Sequence, residues 1–329
     1  MTLNRIKYLD TIKGIAIYLV VMGHCLAWCF DNYIKVYEQS SPQAMIIWRI
    51  IYSFHMPLFF FISGFLFKKQ IFSKALLAKK ALHLLVPYFT MGFIKYLYLG
   101  DFGYWFLMVL FELYILACIQ NLIINDKNNT QNHRYIIISI IIFLVLYIIN
   151  KYVNINQPVL RHLYIDNLFR NYPYFILGHL IYRYNFQITN NYLYTTSLIL
   201  FITITTIEIT SNIATIPAWG ILCLLRSCCG IYVIMYLVKN YLNKENLLTR
   251  LFQYLGTYTL EIYVIHFFFK YKIPDIGNII LNYNSFSTSF IIQSVYAIIA
   301  TSFIIGISTF IINILNKSSL INLLCFGKK

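Results

Sequence analysis

A chain of 329 residues that is 60% hydrophobic and only 11% charged cannot cover a water-soluble globule of its size, since soluble domains carry roughly 25% charged residues. Its net charge of +15 does not mark a nucleic-acid binder, because the cations sit between apolar runs and form no recognisable binding motif. Seven cysteines (25, 29, 118, 223, 228, 229 and 325), odd in number and mostly inside apolar runs, argue against a disulfide scaffold and are most simply small hydrophobes.

Lipid is therefore the expected solvent, in keeping with a mean hydropathy of +0.67 and with tyrosines and phenylalanines near the ends of apolar segments. The first 30 residues imitate a signal peptide, with Arg5, Lys7 and Lys13 ahead of an apolar stretch. Trp28, Cys29 and Phe30 stand where small cleavage-site residues are needed, which makes this stretch a retained first span. A spanning helix needs about 20 predominantly apolar residues. Such runs occur at about 11–30, 44–67, 76–98, 104–124, 134–151, 167–184, 190–210, 215–239, 248–270 and 288–315. The fold class expected is all-α, a polytopic transmembrane bundle of about ten spans forming one integral membrane domain over residues 1–329. Of the 26 lysines and arginines, 17 fall on one set of loops and six on the other, with Arg49, Lys95 and Arg226 inside spans. The excess of positive charge places both termini in the cytoplasm, as an even number of spans requires.

Ionisable groups inside spans are costly and mark function by default. In the first span, "LDTIKGIAIYLVVMGHCLAW", Lys13 and His24 are eleven residues apart, a helical rotation of about 1,100° and a rise of about 16 Å. They share a stripe to within about 20°, and Asp10 lies near it at the inner end. A neutral imidazole there can take a proton from a hydroxyl near physiological pH, or it can serve only as a packing hydrogen-bond partner. In the second span, Pro57 frees backbone groups, Ser63 and Gly64 permit close helix approach, and His55 either faces the same cavity or sits at a loop edge. Lys74, Lys79, Lys80 and His83 gather where the third span begins, which suits a polyphosphorylated ligand such as coenzyme A. Positive-inside anchoring explains Lys68, Lys69 and Lys74 equally well. Further along lie Glu112 in the fourth span, Arg226 in the eighth, and Glu261, Tyr263 and His266 in the ninth. A buried arginine needs a carboxylate, for which Glu112 and Glu261 are the candidates. No P-loop, HExxH or paired-CxxC zinc pattern occurs, and His24 with Cys25 and Cys29 makes a thin metal site, so no metal is expected.

Six stretches carry a family resemblance: "YLDTIKGIAIYLVVMGH", "FHMPLFFFISGFLF", "KKALHLLVPY", "YWFLMVLFELY" (which includes Trp105), "YPYFILGHLIYR" and "GTYTLEIYVIH". Together they resemble membrane acyltransferase family three, particularly its fucose O-acetylase-like branch. The resemblance implies a ten-helix protein of the cell membrane, of bacterial type. It would move an acyl group, usually acetyl from acetyl-CoA as co-substrate, to a hydroxyl of a cell-surface glycan or lipid-linked saccharide. The family pattern of a basic residue, ten residues and a histidine maps onto Lys13 and His24, and its basic segment onto Lys79 and Lys80. Where relatives often carry a further arginine, this chain has His83. The family's Glu, Tyr and His in the ninth span map onto Glu261, Tyr263 and His266.

The two readings join in one hypothesis. The CoA phosphates would lie near Lys79, Lys80 and Lys13, and the thioester would reach His24, acting as general base or as transient acyl carrier. His55, Ser63, Trp105, Glu112, Arg226 and Tyr263 would serve the substrate or the polar framework. A transporter or flippase for a glycan or small molecule is the rival class, since intramembrane Arg, Glu and His also line transport paths, although no inverted repeat is evident. A silent relative with an assembly role is a third. Membrane lipid and an acceptor saccharide are the expected partners, nucleic acid is not, and a homo-oligomer is left open.

Overall fold

Long apolar runs with few breakers satisfy their own backbone hydrogen bonds as helices, the only open-chain solution available in lipid. A computed structural model describes residues 7–30, 46–67, 74–124, 132–152, 163–210, 219–242, 245–276 and 286–328. Among them the chain is helical, with no strand. In order, the helices are α1 (Lys7–Phe30), α2 (Ile46–Leu66), α3 (Lys74–Leu99), α4 (Trp105–Ile124), α5 (Asn132–Tyr152), α6 (Ile165–Arg183), α7 (Asn191–Thr210) and α8 (Trp219–Tyr241). Then follow α9 (Leu247–Thr257), α10 (Thr259–Ile265), two short 3-10 turns at His266–Phe268 and Lys270–Lys272, α11 (Phe286–Leu315) and α12 (Ser319–Phe326).

Among the described residues, seven helices are long and apolar enough to cross a membrane: α1, α2, α4, α5, α7, α8 and α11. The protein is a multi-pass membrane protein. The other three expected spans fall on α3, which carries four lysines, on the more polar α6, and on the α9–α10 segment. That last segment corrects the expectation of one continuous ninth span. It breaks at Tyr258, where the hydroxyls of Thr257 and Thr259 donate to the carbonyls of Tyr254 (2.8 Å) and Gly256 (2.9 Å). Short hydroxyl side chains compete with the helix for its own backbone in this way. Arg5, Lys35, Lys68, Lys69, Lys127, Arg161, Lys244 and Lys329, which contribute to the expected orientation, lie outside the described residues.

The chain divides into two units, Met1–Phe59 with Gln187–Ile314, and Phe60–Phe186 with Leu315–Lys329. In the first, α1 packs along α9 and α10, and α7 packs on α8. Two glycines set the α1–α9 approach. A Cβ on Gly14 would lie 1.9 Å from the Phe252 carbonyl oxygen, and one on Gly256 would lie 1.9 Å from that of Asp10. Each helix thus presses a glycine onto the other's backbone, the close approach that small residues give membrane helices.

In the second unit, α3 packs on α4 and α12, and α6 packs on α4 and α5. The same device recurs where the last turns of α2 meet α6: a Cβ on Gly64 would lie 1.9 Å from the Phe175 carbonyl oxygen, and one on Gly178 would lie 2.0 Å from that of Phe61. The α3–α4 hairpin closes over Lys95, which is 1% exposed and reaches Asp101 at 2.7 Å. Gly103 (φ 52°) lets the turn pass the ammonium, since a Cβ there would meet Lys95 Nζ at 1.8 Å.

Candidate active site

His24 stands on α1, and His266 follows α10 at the start of the first 3-10 turn. The broken helix sets the direction of His266, because α9 lies against α1 through Gly14 and Gly256 before the chain restarts as α10. Discontinuous helices of this kind survive at membrane depth where protein covers their ends. Nδ1 of His24 lies 2.8 Å from Nε2 of His266, and the two rings are parallel to within 3° with centroids 5.0 Å apart. So short a nitrogen contact at that centroid separation requires the rings to be end to end in one plane, not face to face. The hydrogen bond between them is therefore in plane and well directed.

One further bond fixes the protons. Nδ1 of His266 lies 3.0 Å from the carbonyl oxygen of Ile262, one turn back. A carbonyl only accepts, so Nδ1 of His266 carries hydrogen and, in the neutral ring, its Nε2 carries the lone pair. His24 must then donate from Nδ1. A neutral His24 is left with its lone pair on Nε2, the nitrogen directed away from the dyad. Phe267 walls both rings, at centroid distances of 4.8 Å from His24 and 4.2 Å from His266. His266 is fully buried and His24 partly exposed.

Asp10 and Lys13 share α1 with His24 and pair with each other at 3.5 Å. Glu261 and Tyr263 are buried on α10, and the Tyr263 ring lies 5.9 Å from that of His266. Trp28, one turn beyond His24 on α1, meets Tyr271 edge-on at 4.6 Å. Its buried indole N–H has no hydrogen-bond acceptor among the described residues. Sequence reasoning passed over Trp28, although its spacing of four from His24 places both on one helix face.

The other expected residues fall elsewhere. His55 is buried on α2 and donates from Nδ1 to the Ile51 carbonyl at 2.8 Å, a bond within its own helix. Arg226 is paired with Glu208 of α7, correcting the expectation that Glu112 or Glu261 would be its partner. The packing of α7 on α8 supplies this carboxylate from a neighbouring helix in sequence. Cys25 is buried on α1.

In the second unit, Trp105 begins α4, with its ring 6.2 Å from Phe60. Ser63 lies one residue before the Gly64 contact. Glu112 on α4 has one buried carboxylate oxygen without a hydrogen-bond partner among the described residues. Lys79, Lys80 and His83 share the first turns of α3, with Lys80 Nζ 4.0 Å above the Tyr114 ring. His179, which sequence reasoning left inside its matching stretch, lies buried against Tyr135 and bonds the Phe67 carbonyl through Nδ1 at 2.8 Å.

Apolar helices long enough to cross a membrane here carry a directed imidazole pair. The model of a family described as an acyltransferase domain matches residues 6–315, nearly the whole chain. The chain belongs to acyltransferase family 3, and it is a membrane acyltransferase. No curated protein and no solved structure matches it.

Proposed function

We propose that the protein transfers an acetyl group from acetyl-CoA to a hydroxyl of a cell-surface glycan or lipid-linked precursor, with His24 as general base. The observation that carries this reading is the chain running from the Ile262 carbonyl through His266 to Nδ1 of His24, which leaves Nε2 as the basic atom. Nε2 takes the acceptor proton as the oxygen attacks the thioester carbonyl. The carbon–sulfur bond then breaks, and the departing thiolate takes the proton back from His24. Because a backbone carbonyl cannot accept a proton outright, the relay ends at Ile262. His266 therefore orients His24 and holds its tautomer.

The phosphates of the donor are assigned to Lys79, Lys80 and His83, where flexible ammonium groups and an imidazole can meet spread negative charge. Lys13 and Asp10 would set the charge at the end of α1, with Glu261 and Tyr263 supporting the dyad from α10. Trp28 offers a saccharide an aromatic body and an N–H donor. Both termini are placed in the cytoplasm, with α3, α6 and the α9–α10 segment completing ten passes.

His24→Ala in native membranes tests the chemistry: with normal expression, acetylation of the acceptor should fall by at least about 100-fold. Full activity in that variant overturns the proposal. Mass spectrometry of acid-quenched enzyme separates a base, which leaves no adduct, from an acyl carrier, which leaves an acetylated His24.

A further inference from the structure

The family match ends at residue 315, yet the chain continues into a docked helix. Ser318 caps α12 by accepting from the Ile321 N–H, and the helix packs on α3. Thr90 of α3 donates its hydroxyl to the Leu324 carbonyl. Phe326 is fully buried. The helix ends at Gly327 in the left-handed region (φ 64°), with its N–H on the Leu323 carbonyl at 2.8 Å. A Cβ on Gly327 would lie 2.1 Å from the Leu82 carbonyl oxygen and 2.7 Å from the His83 Cα. The tail therefore touches α3 at the very turn that carries His83. The Gly327 backbone lies beside His83, and the charges of Lys79, Lys80 and Lys328 all bear on that imidazole.

Three lysines brought to one turn of α3 suit a polyanion, because charge-assisted contacts to phosphate are the strong ones. Lys328 follows directly on the Gly327 contact, so the packing of α12 brings its backbone to that turn of α3. The apolar outer face of α12, with Leu320, Ile321 and Leu324 exposed, also suits a helix lying in the membrane interface. That role alone gives no reason for the chain end to turn inward onto His83.

We propose that α12 and Lys328 are part of the donor site, closing the Lys79–Lys80–His83 cluster into a binding surface for the phosphates of the acyl donor. This rests on the assignment of the donor phosphates to α3. It predicts that tail docking and donor binding reinforce one another.

The test uses full-length protein in membranes and measures donor KM, acceptor KM and kcat with acetyl-CoA and with its analogue lacking the ribose phosphate. Lys328→Ala should raise the acetyl-CoA KM by about tenfold, with acceptor KM and kcat little changed and a smaller penalty for the analogue. Gly327→Val, which cannot take the left-handed turn beside Leu82, should raise the donor KM as well. Lys317→Ala, removing an exposed charge before α12, should do neither. An unchanged acetyl-CoA KM in both Lys328→Ala and Gly327→Val overturns the role of the tail when Lys79→Ala and Lys80→Ala do raise it. If those two also leave it unchanged, the α3 assignment itself falls.

Discussion

Removing His266 takes away the acceptor of the His24 Nδ1 proton and, with it, the reason for Nε2 to be the basic nitrogen. His266→Ala should lower kcat by about 100-fold with little change in donor KM, measured on membranes with equal expression; an equal rise in KM would argue for a packing role. Arg226 offers a contrasting case, because it is buried and its partner Glu208 is mostly so. Arg226→Ala strands the carboxylate and should cost about 3–5 kcal/mol, seen as a lower melting temperature in detergent. Arg226→Met combined with Glu208→Leu should recover most of that loss. At the exposed end of α1, Lys7 and Arg250 hold the Glu245 carboxyl below its usual range through a hydrogen bond and charge. The sign follows: this contribution is present above the ordinary carboxylate pKa and is lost as pH falls through the lowered value. For so exposed a group it is small and weakened by salt. His24 and His266 were each legible in the sequence as histidines inside apolar runs. Their meeting was not, since 242 residues separate them and no local pattern encodes such a contact.

The glycines that touch backbone decide matters among the helices. Gly14→Ala and Gly256→Ala each push a methyl group into a carbonyl of the facing helix. Both should lower the melting temperature and, by shifting α9 and α10 against α1, reduce turnover. Gly306 and Gly220 have nothing among the described residues within 4 Å of an added Cβ, so alanine there should be tolerated or mildly stabilising, by up to about 1 kcal/mol. A matched set of melting curves separates the two classes. Element existence was largely legible, because runs of about 20 apolar residues admit few alternatives in lipid. The overall apolar length of residues 248–270 hides the break in the ninth span, although polar and small residues cluster at it. The signal lay in "GTYT", a glycine and two threonines whose hydroxyls bond back to the preceding turn. The Gly64 contact was anticipated from the sequence, but its counterpart Gly178, like Gly14 and Gly256, was not. A lone glycine in a helix shows no sign of what faces it.

For the molecule as a whole, the proposed orientation can be read with reporter fusions. With ten passes and both ends in the cytoplasm, alkaline phosphatase fused after residue 329 should be inactive, and active when fused in the 153–162 connection. The reverse pattern overturns the assignment. The family was legible because its motifs occur in order along most of the chain, and the match over residues 6–315 bears that out. The division into two units, each knit by a reciprocal pair of glycine contacts, was not legible. It joins chain segments more than a hundred residues apart, such as α1 with α9, and nothing in local hydropathy announces such partners.

The backbone seam between α1 and α9 has a practical corollary. Where main chain rests on main chain, helix spacing no longer depends on the size of the neighbouring side chains. A library that randomises the lipid-facing positions of both helices, while sparing Gly14 and Gly256, should yield an unusually high proportion of active clones. That makes this seam a favourable starting point for evolving altered acceptor preference.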